Sequence, residues 1–234
     1  MTRLVWLAAL ALLAGCGGND DPLTVFAASS LTDVAPAIDP DATVVLGGSN
    51  DLAAQIRDGA DADVFLSASA KPLTDLRAEG LVGPPVAFAS NVLVLVVPAG
   101  ANGVEHLVDL TRKGVKLVLG AEGVPIGDYA RESLELAGLG AALANVVSLE
   151  EDVKGVIGKV SLGEADAGIV YATDALAASD DVTAIEISKH FQPRIRYFAA
   201  LVGPPSDEAE RYLERLTGAE GERVLGDAGF RPLP

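Results

Sequence analysis

Apolar and β-branched residues gather in short runs at 23–28, 43–47, 62–68, 88–98, 115–120, 146–149, 167–171, 182–187 and 194–202. Between them lie segments in which apolar residues recur every three or four positions, at 49–58, 71–79, 104–112, 126–137, 151–162, 206–216 and 220–228. The first pattern predicts strands and the second amphipathic helices. Their alternation predicts an α/β fold built from βα units with right-handed crossovers. Several strands, notably Val92-Leu93-Val94-Leu95-Val96-Val97, are apolar throughout, the pattern expected of parallel strands covered on both faces. The runs at 88–98 and 194–202 are each long enough to pass from one lobe to another. Two crossings, near 86–90 and 197–200, would leave 23–87 and 198–234 as lobe 1 and 88–197 as lobe 2. Each lobe would hold a mixed, mainly parallel sheet flanked by helices, with a cleft between. One continuous sheet is the alternative, and periodicity does not choose between them.

The first residues follow a different pattern. Met1-Thr2-Arg3 is a short positive stretch, and the apolar run 4–13 is too short to span a bilayer. It ends in Leu13-Ala14-Gly15-Cys16, which resembles the lipobox of bacterial lipoproteins. This predicts a signal peptide over 1–15, a lipid on Cys16 and a flexible tether over 16–22, so the fold would sit outside the cytoplasm, anchored to a membrane. Cys16 is the only cysteine, so no disulfide or cysteine chemistry is left to the folded part. The single Trp6 would leave with the signal peptide. The formal net charge of −16 argues against a nucleic-acid partner, which calls for basic surface. An anionic ligand would therefore have to be held by local dipoles, without long-range attraction.

Four places suit that task. Val25-Phe26-Ala27-Ala28-Ser29-Ser30 runs from a strand into paired serines and a helix start. Gly47-Gly48-Ser49-Asn50 does the same with glycines that admit a close approach. Gly123-Val124-Pro125-Ile126 and Glu151-Asp152-Val153 are two further helix starts, and Gly168-Ile169-Val170-Tyr171 closes a strand on a tyrosine. First-turn N–H groups have no partner within their helix and sit at its positive end. Taken singly, each is as readily an ordinary capped turn or, for Tyr171, a core aromatic.

Together, Phe26-Ala27-Ala28-Ser29-Ser30-Leu31-Thr32, Ala62-Asp63-Val64-Phe65-Leu66-Ser67-Ala68, Val124-Pro125-Ile126-Gly127-Asp128-Tyr129-Ala130, Glu151-Asp152-Val153 and Gly168-Ile169-Val170-Tyr171 resemble the periplasmic molybdate-binding proteins of ABC transporters. They stand in that family's order over nearly the whole chain. The resemblance implies a two-lobed periplasmic-binding-protein-like fold that holds molybdate, and with it tungstate, in the interlobe cleft for an ABC permease. The protein would be a monomer without cofactor. Carried over, Ser30 and Ser49 donate through hydroxyl and N–H, Ile126 and Val153 through N–H, and Tyr171 through its phenol, while Ala68 lines the pocket. The chain departs from the family in three places. Residues 31–44 leave room for only a stub of the first helix, Ile126 replaces a smaller residue, and Tyr197-Phe198 stands where Tyr-Pro is common.

Other readings are a binding protein for another oxyanion such as sulfate, or a lipid-anchored hydrolase. Against an enzyme, the chain has no G-x-S-x-G elbow, no H-E-x-x-H and no P-loop. Its two histidines read as surface residues, His106 in an amphipathic helix and His190 in a polar loop. Neutral donors suit a fully ionised anion and disfavour phosphate, whose remaining proton calls for an acceptor.

Overall fold

The computed structural model describes residues 22–101 and 103–233. The signal peptide, Cys16 and all but the last residue of the tether lie outside the described residues. Among the described residues, ten strands form two five-stranded sheets. The first contains β1 (Thr24–Ala28), β2 (Thr43–Gly47), β3 (Val64–Ser67), β4 (Val86–Asn91) and, from late in the chain, β10 (Ile195–Leu201). The second contains β5 (Leu93–Pro98), β6 (Leu117–Gly120), β7 (Val146–Glu150), β8 (Ala167–Tyr171) and β9 (Val182–Glu186). Their orders are β2-β1-β3-β10-β4 and β7-β6-β8-β5-β9.

The sheets share one strand arrangement, and the connectivity of β1-β2-β3 is that of β6-β7-β8; they differ in that the strand in fourth place comes last in the chain in the first sheet, β10, and first in the second, β5. In each, the first three strands pair in parallel and the last two join antiparallel. In each sheet four strands run one way and a single strand, β10 or β5, runs against them, so each sheet is mixed and mainly parallel in direction. The helices that follow β2, β6 and β7 are α2 (Ser49–Arg57), α4 (Pro125–Leu136) and α5 (Val153–Ser161). Others are α1 (Ala35–Ile38), α3 (Ala70–Ala78), α6 (Ala172–Ala177), α7 (Asp207–Thr217) and α8 (Ala219–Asp227). As the spacing predicted, α1 is a stub, with Pro36 at its start.

Alternation places the two faces of the first sheet. Phe26 and Phe65 pack with Leu52, Ile56, Leu73 and Leu76 of α2 and α3. Their neighbours Val25, Ala27, Val64 and Leu66 face the main core. The apolar run at 92–97 belongs to β5, which lies between β8 and β9 and is antiparallel to both. Burial on both faces writes such a run whatever the strand's direction.

Two other expectations change. The strand predicted over 88–98 breaks at Val92, whose N–H donates to the Asn91 side chain (2.9 Å), and this break is where the chain changes sheets. The return runs through 187–194. Both points lie inside 88–197 as drawn from the sequence, because β4 and the first half of β10 remain in the first sheet. The helix predicted over 104–112 is a 3-10 turn, Leu107–Thr111. Asp109 folds back onto the N–H groups of Glu105 and His106 (2.9 Å each), so His106 caps a turn instead of riding a helix. The segment is bounded by Gly103 and Gly114, both at positive φ, a conformation that ends a helix.

Candidate functional site

The carboxyl ends of both sheets face one small cavity of about 20 Å³. That is little more than the 10–15 Å³ or so one water-sized body needs, so it suits a small ion and no sugar or nucleotide. Ser30, Ser49, Ala68, Ile126, Val153 and Tyr171 all line it, with Ser29, Gly48, Pro125 and Asp152 among the other walls.

The shared connectivity explains why these residues meet. Ser30 follows β1 and Ile126 follows its counterpart β6. Ser49 follows β2 and Val153 follows β7. Ala68 follows β3 and Tyr171 ends β8. The cavity is thus walled by three pairs of equivalent strand ends, one of each pair from each sheet. Ser49 and Val153 are the first residues of α2 and α5, and Ile126 is second in α4 after Pro125. Their N–H groups lie in first turns, out of reach of their own helices' carbonyls. In α5 the Asp152 side chain accepts from the Gly155 N–H (2.8 Å). This engages the carboxylate with the helix end and leaves the N–H of Val153 unclaimed by that cap.

Each hydroxyl has a defined setting. Ser49 Oγ accepts from the Ala68 N–H (3.1 Å), which leaves its own hydrogen to donate. Ala68 therefore acts through Ser49. Ser30 Oγ lies 2.9 Å from the Tyr197 hydroxyl, in a single 3-10 turn, Ser29–Leu31. Tyr171 is 1% exposed, and among the described residues its hydroxyl has no hydrogen-bond partner. A buried hydroxyl without a partner is costly, and this one lines the cavity. Burial first, then the neighbouring Tyr197, Tyr129 and Asp174, push its phenol well above the usual tyrosine range. Tyr171 therefore keeps its proton and has it to donate.

No lysine or arginine lines the cavity. Arg131 lies near the third junction but donates to the carbonyls of Gly120 (2.9 Å) and Gly127 (2.8 Å). It holds the β6–α4 turn, where a Cβ on Gly127 would stand 2.1 Å from the Ala121 carbonyl oxygen. The two sheets also touch beside the cavity. Asn50 of α2 donates to the Gly123 carbonyl (2.6 Å), and a Cβ on Gly48 would meet the Glu151 carbonyl oxygen at 2.5 Å. The arrangement has no cationic side chain and is rich in donors: it can hold a small anion through hydrogen bonds alone. Among the described residues no cluster of His, Cys, Asp or Glu suits a metal cation. The contacts of Tyr197 with Ser30 and of Asn50 with Gly123 have no local signal in the sequence.

Residues 23–231 match the family model described as bacterial extracellular solute-binding protein. The molybdate-binding protein of Mycobacterium tuberculosis H37Rv is 33% identical, over 98% of this chain and 96% of its own. Among solved structures, the periplasmic molybdate-binding protein of Azotobacter vinelandii superposes with a TM-score of 0.78 at 22% identity, over 91% of this chain and 99% of its own. The sulfate-binding protein SubI of M. tuberculosis has the same fold (TM-score 0.73, 18% identity, 91% and 87% covered).

Proposed function

The chain belongs to the bacterial extracellular solute-binding proteins, in the molybdate-binding family of ABC transporter substrate-binding proteins, and from that premise we propose that it captures molybdate between its lobes and delivers it to an ABC importer. Its relatives are solute-binding proteins, not enzymes. The observation that best supports the ligand is the unpartnered Tyr171 hydroxyl in a cavity otherwise walled by serines and helix starts. In this reading Ser30, Ser49 and Tyr171 donate hydroxyls, while Ser49, Ile126 and Val153 donate first-turn N–H groups. Ala68 holds Ser49 in place. Tungstate shares molybdate's charge and shape and belongs to the same proposal. So does the anchor: Cys16 carries lipid, and the tether keeps a monomeric, two-lobed fold in water outside the cytoplasm. The lobes comprise 23–91 with 195–233, and 93–186.

Calorimetric titration with molybdate, tungstate, sulfate and phosphate tests the ligand. Tight binding of the first two with weak or absent phosphate binding is expected. Preference for sulfate would move the chain to another oxyanion, and binding of none would remove the proposal.

A further inference from the structure

Tyr197 has no exposed surface and touches the site in two ways. Its hydroxyl meets Ser30 Oγ at 2.9 Å. Its ring meets Tyr171 edge to face, with centroids 5.7 Å apart, and is backed by Phe230 at 5.1 Å and Phe88 at 6.2 Å. Tyr197 lies in β10 of the first sheet and Tyr171 in β8 of the second, so this ring contact spans the cleft. A phenol is a far stronger acid than an aliphatic alcohol and so the better donor. The favoured polarity therefore runs from the Tyr197 O–H to Ser30 Oγ, which leaves the Ser30 hydrogen free for the cavity. The Ala68 N–H imposes the same polarity on Ser49.

We propose that Tyr197 is a positioning residue for selectivity: by donating to Ser30 it occupies one lone pair of that serine and turns the serine's own hydrogen towards the cavity, so the site favours oxyanions that carry no proton over those that do. The proposal rests on the oxyanion-binding reading above. Without the Tyr197 hydroxyl, Ser30 is free to turn its hydrogen away and present its oxygen to the cavity, and a protonated anion such as hydrogen phosphate gains an acceptor there.

The test is Tyr197→Phe, which keeps the ring, titrated calorimetrically with molybdate, sulfate and phosphate. Molybdate is expected to weaken by about 3- to 10-fold, the scale of one neutral hydrogen bond, while phosphate binding stays level or strengthens. The ratio of molybdate to phosphate affinity should therefore fall. In a Ser30→Ala background, Tyr197→Phe should leave that ratio within about twofold, since the two residues form one unit. Equal weakening of all three anions, or a change in ratio that survives Ser30→Ala, would overturn the proposal. Should Tyr197→Phe not fold, NMR on the parent and Ser30→Ala decides. A slowly exchanging Tyr197 hydroxyl proton must appear in the parent and be lost or shifted in Ser30→Ala, and its absence from the parent defeats the assignment. If the parent binds sulfate but not molybdate, sulfate becomes the reference and only the molybdate reading fails. A parent that binds none of these anions overturns both.

Discussion

At the scale of single residues, the site separates positions that act through a side chain from positions that act through the backbone. Ser30→Ala, Ser49→Ala and Tyr171→Phe should each cost about 1.5–3 kcal/mol of molybdate binding, the range for hydrogen bonds to a charged group, or about 10- to 100-fold in affinity. Val153→Ala should cost much less. Val153→Pro should be severe, because it removes the N–H that α5 offers. Calorimetry on the five variants checks the pattern, and serine variants that bind like the parent would place the ligand elsewhere. A second residue ties the region to pH. Burial pushes the Asp174 carboxyl up to about 6, against the lowering effect of Lys154, whose Nζ stands 3.0 Å away without hydrogen-bond geometry. The native chain then holds a proton that the unfolded chain, titrating near 4, has released. Stability therefore falls as pH rises from about 4 to 6, by up to about 3 kcal/mol, and the penalty is complete above that window. Asp174→Asn has no charge to bury. It should raise the thermal midpoint relative to the parent at pH 7.5 and lose that advantage near pH 4.

At the scale of elements, the junctions depend on close backbone approach. Gly48 precedes α2 with φ −61° and ψ 137°, a conformation alanine adopts freely. Alanine is nonetheless excluded when the cleft is closed, because its Cβ would stand 2.5 Å from the Glu151 carbonyl oxygen of the opposite lobe. Gly48→Ala should therefore leave the ligand-free thermal midpoint nearly unchanged yet weaken molybdate by tenfold or more, and a variant that binds normally would show that closure is looser than this contact requires. The crossings between lobes are held by a different device. Gln192, on the return segment, accepts from the Leu93 N–H (2.8 Å) and donates to the carbonyls of Leu93 (2.8 Å) and Ile187 (3.0 Å). One amide thus clasps the two connections together. Gln192→Ala leaves the buried Leu93 N–H without its acceptor, at about 1–3 kcal/mol. Lower stability and faster amide exchange at Leu93 are the expected results.

At the scale of the whole molecule, the two lobes meet through groups far apart in the chain, among them Asn50 with Gly123 and Tyr171 with Tyr197. Closure excludes water and strengthens each bond to a bound ion. Small-angle scattering should show compaction on adding molybdate, towards the shape described here, and an unchanged profile at saturation would count against a closing cleft. A purely optical readout also exists. Three of the four tyrosines, Tyr129, Tyr171 and Tyr197, form one aromatic chain at the site. Tyrosine emission from protein freed of its signal peptide should therefore respond to the ligand.

Much of this was legible along the chain. Strand and helix runs set the α/β class, and most element bounds fall within a few residues of the periodicity, because burial is written locally into which positions are apolar. The helix starts were legible for the same reason: glycine, serine, proline and aspartate act on their own turn. Strand direction was not, since β5 carries the same apolar run whichever way it lies. Nor was the topological repeat that pairs Ser30 with Ile126, Ser49 with Val153 and Ala68 with Tyr171, because two sheets can share a connectivity without sharing residues. The hydroxyl of Tyr197 on Ser30, 167 positions away, and the clasp of Gln192 on Leu93 were likewise decided only by the tertiary structure. Sequence determines which groups are available to bind an anion; their polarity and their meeting point depend on contacts between lobes, which no local pattern encodes.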